Sequence, residues 1–316
     1  MNQMHKGEIG SRLLRQLGSG DEVIASAGPI LRQYLAEPDR SLFADGVIAR
    51  VRGMMNHVAR QLLFAEARAV GHDDPRDYAE SAGGTLRETL AGNAAFLAHV
   101  HGLALEWQLA EQLEIRAGLD YALSPLVQDL IASDDTDLAG SAMALLAAQT
   151  RFAQQQRRME LPLGELPGDM FHAVIVIWRN CTGLSDEDAA DAIERKLRDE
   201  FDESRSRLGL LARIATALSH EAASALDLRH GGVALFLTVL ALGSSQRRQV
   251  CALATNERHV VRLALSLRAA GMKAQGVMNQ IMFIHSDVEP PQWLGGVDPE
   301  SAMEMLTEAD PGGIAG

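Results

Sequence analysis

The stretch "VIARVRGMMNHVARQLLFAEARAV" (residues 47–70) decides the fold class of this chain. It is rich in alanine, leucine and arginine, which are strong helix formers, and it contains no proline. The turn sequence "GHDDPRD" follows it, beginning at Gly71. The sequence therefore predicts one long helix that begins at Asp39 or Ser41, runs through this stretch and stops at Gly71.

The rest of the chain has the same helical character. Its most apolar runs are "AVIVIW" (residues 173–178) and "VALFLTVLAL" (residues 233–242), and both are shorter than the ~20 residues that span a bilayer. The first run is β-branched, but no second run offers it a pairing partner, so we expect two buried helices. Ser124-Pro125 is a typical helix start. We predict an all-α, multi-helix bundle with no significant β-sheet.

Composition narrows the class of protein. The chain has 316 residues, of which 47% are hydrophobic and 22% charged, as in a folded domain. A net charge of -13 argues against general nucleic-acid binding. Cys181 and Cys251 form no CxxC motif and are expected to be free thiols in a reducing cytosol. With no signal-peptide core near the N-terminus, we expect a cytoplasmic protein.

Prolines and glycines in "ELPLGELPGD" (residues 160–169) interrupt any helix and suggest a domain division. We expect an N-terminal helical subdomain over residues 1–160 and a C-terminal one over 169–285. Residues 286–316 carry acids and no basic residue, which predicts a partly disordered acidic tail. Within it, "SAMEML" is an amphipathic segment that could dock on a partner or on its own body.

A long helix is expected after the division, perhaps with a break, as far as about Asp227. From Phe201 onward its residues follow an alternating three-and-four spacing that is apolar at nearly every position, as in a coiled-coil seam. The helix therefore suits assembly into a homodimer. His220 falls opposite the seam and is expected to be exposed. The seam positions are Phe201, Ser204, Leu208, Leu211, Ala215, Leu218, Ala222 and Ala225.

The segment "LSHEAASAL" around His220 resembles the phosphoacceptor helix of histidine kinases. The resemblance implies that His220 accepts a phosphoryl group, that Glu221 acts as a base or orients a partner group, and that Ser224 positions water. Thr-Pro does not follow the acid, and no glycine-rich nucleotide-binding module follows the segment. The resemblance thus implies a phosphotransfer protein that receives phosphate from a response regulator.

Other catalytic and metal-binding patterns are weak. "GHDDPRD" contains the His-Asp pair of metal-dependent phosphohydrolases, but it lies in a predicted turn beside Pro75. The chain contains no HExxH, P-loop, GxGxxG or GxSxG motif. We therefore expect neither a metal site nor a cofactor.

Residues 244–275 are locally basic in an acidic chain. Their arginines predict a surface that binds an acidic protein, a small anion or the chain's own acidic tail. A solvated helix face with internal ion pairs is the simpler alternative. The candidate binding residues are Arg247, Arg248, Arg258 and Arg262.

Two longer stretches, beginning at "LSPLVQDLIASDD" and at "GGVALFLTVLALGSSQRRQV", resemble an all-helical bacterial family known only as a domain of unknown function. The resemblance implies an all-α fold and no specific activity. We expect a non-enzymatic regulatory or scaffolding protein that acts through protein–protein interaction in bacterial signalling. The main alternative is histidine phosphotransfer through His220, and a helical hydrolase is a third.

Overall fold

The computed structural model describes residues 17, 45–182, 184, 186–218, 222–289 and 291–309. These residues form 15 α-helices and no strand, so the predicted all-α class is confirmed. The helices are α1 Asp45–Ala69, α2 Pro75–Ser81, α3 Gly83–Gly92, α4 Ala94–Ala117, α5 Pro125–Ile131, α6 Thr136–Arg157, α7 Gly168–Cys181, α8 Glu187–Glu200, α9 Arg207–Leu218, α10 Ala222–Ala225, α11 Leu228–Gly243, α12 Arg248–Ala254, α13 Val260–Ala269, α14 Ala274–Ile284 and α15 Pro299–Ala309.

The described residues belong to two compact units, each made of separate stretches of chain. Unit 1 takes in Leu17, Leu105–Leu146 and the described residues from 211 onward, and unit 2 takes in the described residues of Gly28–Ala104 and Ala147–Leu210. The predicted division at 160–168 therefore does not coincide with a unit boundary. The prolines do interrupt the helix there, but Leu161 and Leu166 are buried and hold the segment inside unit 2.

Unit 2 is built around the long helix α1. Its apolar side chains, among them Met54, Val58 and Leu62, are fully buried. This face packs against α2, α3 and α8, and α3 packs in turn against α7. The run "AVIVIW" lies within α7, where Val174 and Ile175 are buried, so the predicted helix is correct.

Unit 1 is built around α11, which contains the run "VALFLTVLAL". Every residue from Gly231 to Ala241 is buried, and the helix packs against α5, α10, α12 and α13. Gly232 has φ 72° inside this helix, and an added Cβ would lie 2.9 Å from the Ser124 Cβ, so glycine is required there. Among the described helices, none alone is long and apolar enough to cross a membrane, although α11 and α12 together, bent by 114°, meet those criteria.

The predicted assembly helix is divided in the structure. Helix α8 ends at Glu200, and the backbone is extended at Phe201 before α9 begins at Arg207. The Phe201 ring stacks on Phe171 with centroids 4.0 Å apart at the point where the chain leaves α8. Four seam residues are buried in the single chain, so this seam is not an exposed dimer surface: Leu211, Ala215, Leu218 and Ala225.

The acidic segment near the C-terminus contains a helix. Helix α15 includes "SAMEML" and packs on α13 of its own chain. Ala302 and Leu306 are fully buried in a cluster with Leu265 and Val297. This apolar face explains why the segment docks despite its acidic charge. Residues 310–316 lie outside the described part of the chain.

Candidate functional site

Of the three predicted phosphotransfer residues, the structure describes Ser224. His220 and Glu221 lie outside the described residues. Ser224 is half-buried in the short helix α10, and its carbonyl oxygen accepts the Asp227 N–H at 3.3 Å. Phosphotransfer through His220 therefore stays a prediction.

Arg248, predicted to bind a partner, makes an internal ion pair. Its two guanidinium Nη atoms each donate to one Glu106 carboxylate oxygen at 2.8 Å. Its Nε donates to the Thr238 hydroxyl at 3.1 Å. Glu106 is only 2% exposed. Such a bidentate pair occupies the planar donor fork of arginine, so Arg248 is not part of a free positive surface.

Arg262 is also internal. It is buried, and its guanidinium donates to the Gln246 side-chain oxygen at 2.7 Å. The neighbouring Arg268 donates to the Val297 carbonyl oxygen at 2.9 Å and so helps to hold the segment that leads into α15. The basic segment thus holds the acidic one through carbonyl and apolar contacts. Arg247 and Arg258 are exposed, and their role in binding stays a prediction.

A different surface of unit 1 combines exposed apolar side chains with open cavities. A cavity of about 1070 Å³ is lined by the end of α4, the start of α5 and the end of α14. A second, of about 410 Å³, is also lined by α4 and α14 residues, and Arg116 lines both. We call this region the Arg116 surface and define it by Ile115, Arg116, Arg229, Met282 and Phe283.

Arg116 is fixed to the end of α14. Its guanidinium donates to the carbonyl oxygens of Phe283 and Ile284, the second at 2.9 Å. These carbonyls belong to the last turn of the helix, where partners for them are scarce and positive charge is favoured. The same guanidinium lies 5.9 Å from the centroid of the Phe283 ring. Arg116 is therefore a rigid element of the surface.

Arg229 approaches the same ring from the start of α11. Its guanidinium carbon lies 4.5 Å from the Phe283 centroid, a cation–π contact. Asp227 accepts the backbone N–H of Arg229, and Asp120 accepts two backbone N–H groups of its own turn. In the part of the chain that the structure describes, no carboxylate lies within 4.0 Å of the Arg229 guanidinium. Its charge is therefore open to a ligand.

The apolar part of the surface is unusually exposed. Ile115 is 87% exposed and Met282 49% exposed. In the smaller cavity, His285 Nε2 lies 2.8 Å from the Thr255 carbonyl oxygen, and burial lowers the pKa of His285. A neutral imidazole that donates to a carbonyl has a structural role.

Burial shifts the pKa of two side chains that have the chemistry for covalent catalysis or metal binding, Cys251 and His101. Burial raises the pKa of the Cys251 thiol to about 12, so it is not a thiolate near neutral pH. Burial lowers the pKa of His101 to about 4. Among the described residues, no three His, Cys, Asp or Glu side chains are grouped so that they could hold a metal ion.

No pattern in the sequence predicts the Arg116 surface as a whole. One signal was present, because Ile115 interrupts the polar end of "AEQLEIRAGLD" just before a glycine that ends the helix. The approach of Phe283 and Arg229, both far along the chain, is a tertiary contact that no local pattern reports.

The chain matches no protein-family model, no curated protein and no solved structure. The resemblances to the histidine-kinase helix and to the uncharacterised helical family therefore stay predictions.

Proposed function

We propose that the chain is a non-enzymatic regulatory or scaffolding protein that binds another protein through the Arg116 surface. The observation that carries the proposal is the 87% exposure of Ile115 at the smaller cavity, next to Arg116, which lines both cavities. An exposed large aliphatic side chain next to arginine and aromatic side chains is typical of the centre of a protein interface.

The charges of the surface specify the partner's chemistry. Arg116 is occupied by helix-end carbonyls, whereas the Arg229 guanidinium lies over the Phe283 ring and forms no ion pair with any carboxylate among the described residues. A partner segment with a carboxylate beside an apolar side chain complements this arrangement. The carboxylate pairs with Arg229, and the apolar side chain packs on Ile115 and Met282.

Affinity capture with matched variants tests the proposal. The chain is immobilised as wild type, Ile115→Glu, Arg229→Glu and Leu242→Glu, and partners from the cells that make it are identified by mass spectrometry. Leu242 is the control because it is also in unit 1 and 57% exposed, but it lines neither cavity. We expect one partner that Ile115→Glu and Arg229→Glu lose and Leu242→Glu keeps.

The purified partner is then titrated against each variant. We expect Ile115→Glu to weaken binding roughly 30-fold, because loss of a central apolar anchor costs about 2 kcal/mol. Equal weakening by Leu242→Glu, or undiminished binding to Ile115→Glu, contradicts the proposed surface.

A further inference from the structure

Unit 2 contains a groove that the proposed function does not use. It has a volume of about 690 Å³, within the range of small-molecule sites. Its walls come from α1, α7, α8 and the turn around Leu163. We call it the phenylalanine groove, because Phe64, Phe171 and Phe201 line it.

Several residues of the groove wall are apolar and packed within unit 2. Phe171 is buried, and its ring stacks on Phe201 at an interplanar angle of 8°. Ile193 of α8 is also buried. Gln61, a polar residue of the wall, already donates to the Leu161 carbonyl oxygen and accepts the Leu163 N–H. The apolar side chains of the wall therefore offer a ligand apolar contact, and the polar side chains of the lining are Gln61 and the charged residues Arg68, Lys196 and Glu200.

The rim carries two cations that form no ion pair with any carboxylate among the described residues. Arg68 at the end of α1 and Lys196 of α8 are exposed and line the groove. Arg68 lies 5.9 Å from the Phe64 centroid, and no carboxylate among the described residues lies within 4.0 Å of either cation. Elsewhere on α8, Glu194 pairs with Arg198 at 2.8 Å. The two rim cations are thus open, as a site for an anion requires.

From this geometry we infer that the phenylalanine groove binds an amphipathic carboxylate, such as a medium-chain fatty acid. The hydrocarbon body lies against the phenylalanine and isoleucine side chains, where its burial drives binding. The carboxylate lies at the rim, between Arg68 and Lys196. Glu200, also on the rim, has the opposite sign and weakens the attraction.

Calorimetric titration with decanoate, below its micelle concentration, tests the inference on the full chain. We expect one saturable site for decanoate. Decyltrimethylammonium, with the same chain length and a cationic head, binds at least about tenfold more weakly, because the rim is net positive. Equal binding of the two probes, or no saturable binding of decanoate, overturns the inference.

Charge variants locate the site. The double variant Arg68→Glu with Lys196→Glu is expected to bind decanoate roughly tenfold more weakly, since each exposed pair contributes up to about 1 kcal/mol. Arg60→Glu with Arg195→Glu is the control, because it changes the net charge equally on the same two helices outside the groove. An equal loss in this control overturns the site.

Two further variants test head and body separately. Glu200→Gln removes the repulsive charge and is expected to strengthen decanoate binding about twofold. Leu197→Trp fills the groove without changing charge and is expected to abolish binding while the thermal unfolding temperature stays near that of wild type. Unchanged binding to a folded Leu197→Trp protein places decanoate elsewhere and overturns the inference.

Discussion

Glu106 in unit 1 and Glu66 in unit 2 are both buried, with 2% and 1% of their surfaces exposed. Glu106 is held by the charged fork of Arg248. Glu66 is held by two neutral donors, the Trp178 indole N–H at 2.7 Å and the Tyr78 hydroxyl at 2.5 Å. Among the described residues, no cation lies within 4.0 Å of Glu66.

The comparison of Glu106 with Glu66 shows that the two units use their basic side chains differently. In unit 1, arginines of the basic segment are used inside the fold, so the local sequence charge overstates the charge available to a partner. In unit 2 a buried acid needs no arginine, and cations are left open at the rim of the phenylalanine groove. Removing one partner of a buried ion pair costs more unfolding free energy than weakening hydrogen bonds from neutral donors.

The largest expected effect is on the ion pair. Glu106→Gln keeps the shape of the side chain but leaves the partly buried Arg248 charge uncompensated, and it is expected to cost about 3 kcal/mol of unfolding free energy. Glu66→Gln is the matched change in unit 2 and is expected to cost about 1–2 kcal/mol. Urea denaturation followed by circular dichroism measures both. A cost for Glu66→Gln as large as that for Glu106→Gln would remove the distinction between the units.

Acid is expected to destabilise unit 2 through His101. Burial lowers its folded-state pKa to about 4, below the unfolded value of 6.5. The unfolded chain therefore binds the proton first, and stability present above pH 6.5 is lost as the pH falls towards 4. We expect His101→Gln to lose on the order of 2 kcal/mol less than wild type between pH 7 and 4.5. Parallel losses in urea midpoints would assign the acid sensitivity to other groups.

High pH is expected to destabilise unit 2 through Tyr78, whose hydroxyl donates to Glu66. Burial and the Glu66 hydrogen bond raise the pKa of Tyr78 to about 12, above the unfolded value of 10.0. Stability is present below pH 10 and is lost as the pH rises towards 12, because the unfolded tyrosine ionises first. Tyr78→Phe should show a shallower decline in urea midpoint between pH 9.5 and 11. An unchanged decline would mean that Tyr78 does not couple to folding.

The smallest expected effect is a difference in labelling rate between the two cysteines. Cys181 in unit 2 is half-buried, whereas Cys251 in unit 1 is buried with a raised pKa. With a thiol reagent at pH 8, we expect the native chain to label at Cys181 first and at Cys251 only on unfolding. Mass spectrometry of the labelled peptides gives the order. Rapid labelling of Cys251 would show that unit 1 opens readily.

Local sequence patterns predicted where the helices lie better than they predicted which residues those helices contact. Ser124-Pro125 starts α5 as expected, with the Ser124 hydroxyl accepting the Val127 N–H at 3.3 Å. The apolar run in α7 is also correctly a helix. These features depend on neighbouring residues, and helix propensity and capping act at that range.

The misplaced features depend on distant residues. The seam spacing begins at Phe201, but there α8 has just ended, and the Phe201 ring stacks on Phe171 instead of continuing a helix. Arg248 is placed by its helix but its charge is neutralised by Glu106, 142 positions away. Sequence periodicity does not report such contacts. The predicted assembly helix was therefore too long, and the predicted positive charge of the surface was too high.

Hydrogen–deuterium exchange of the complex with the captured partner tests the proposed function most directly. Binding should slow exchange in peptides covering residues 112–118 and 279–286, which carry Ile115, Arg116 and Phe283. Peptides covering residues 61–69 and 192–201 of the phenylalanine groove should exchange as in the free chain. Protection of the groove with no protection around Ile115 would contradict the Arg116 surface as the partner-binding site.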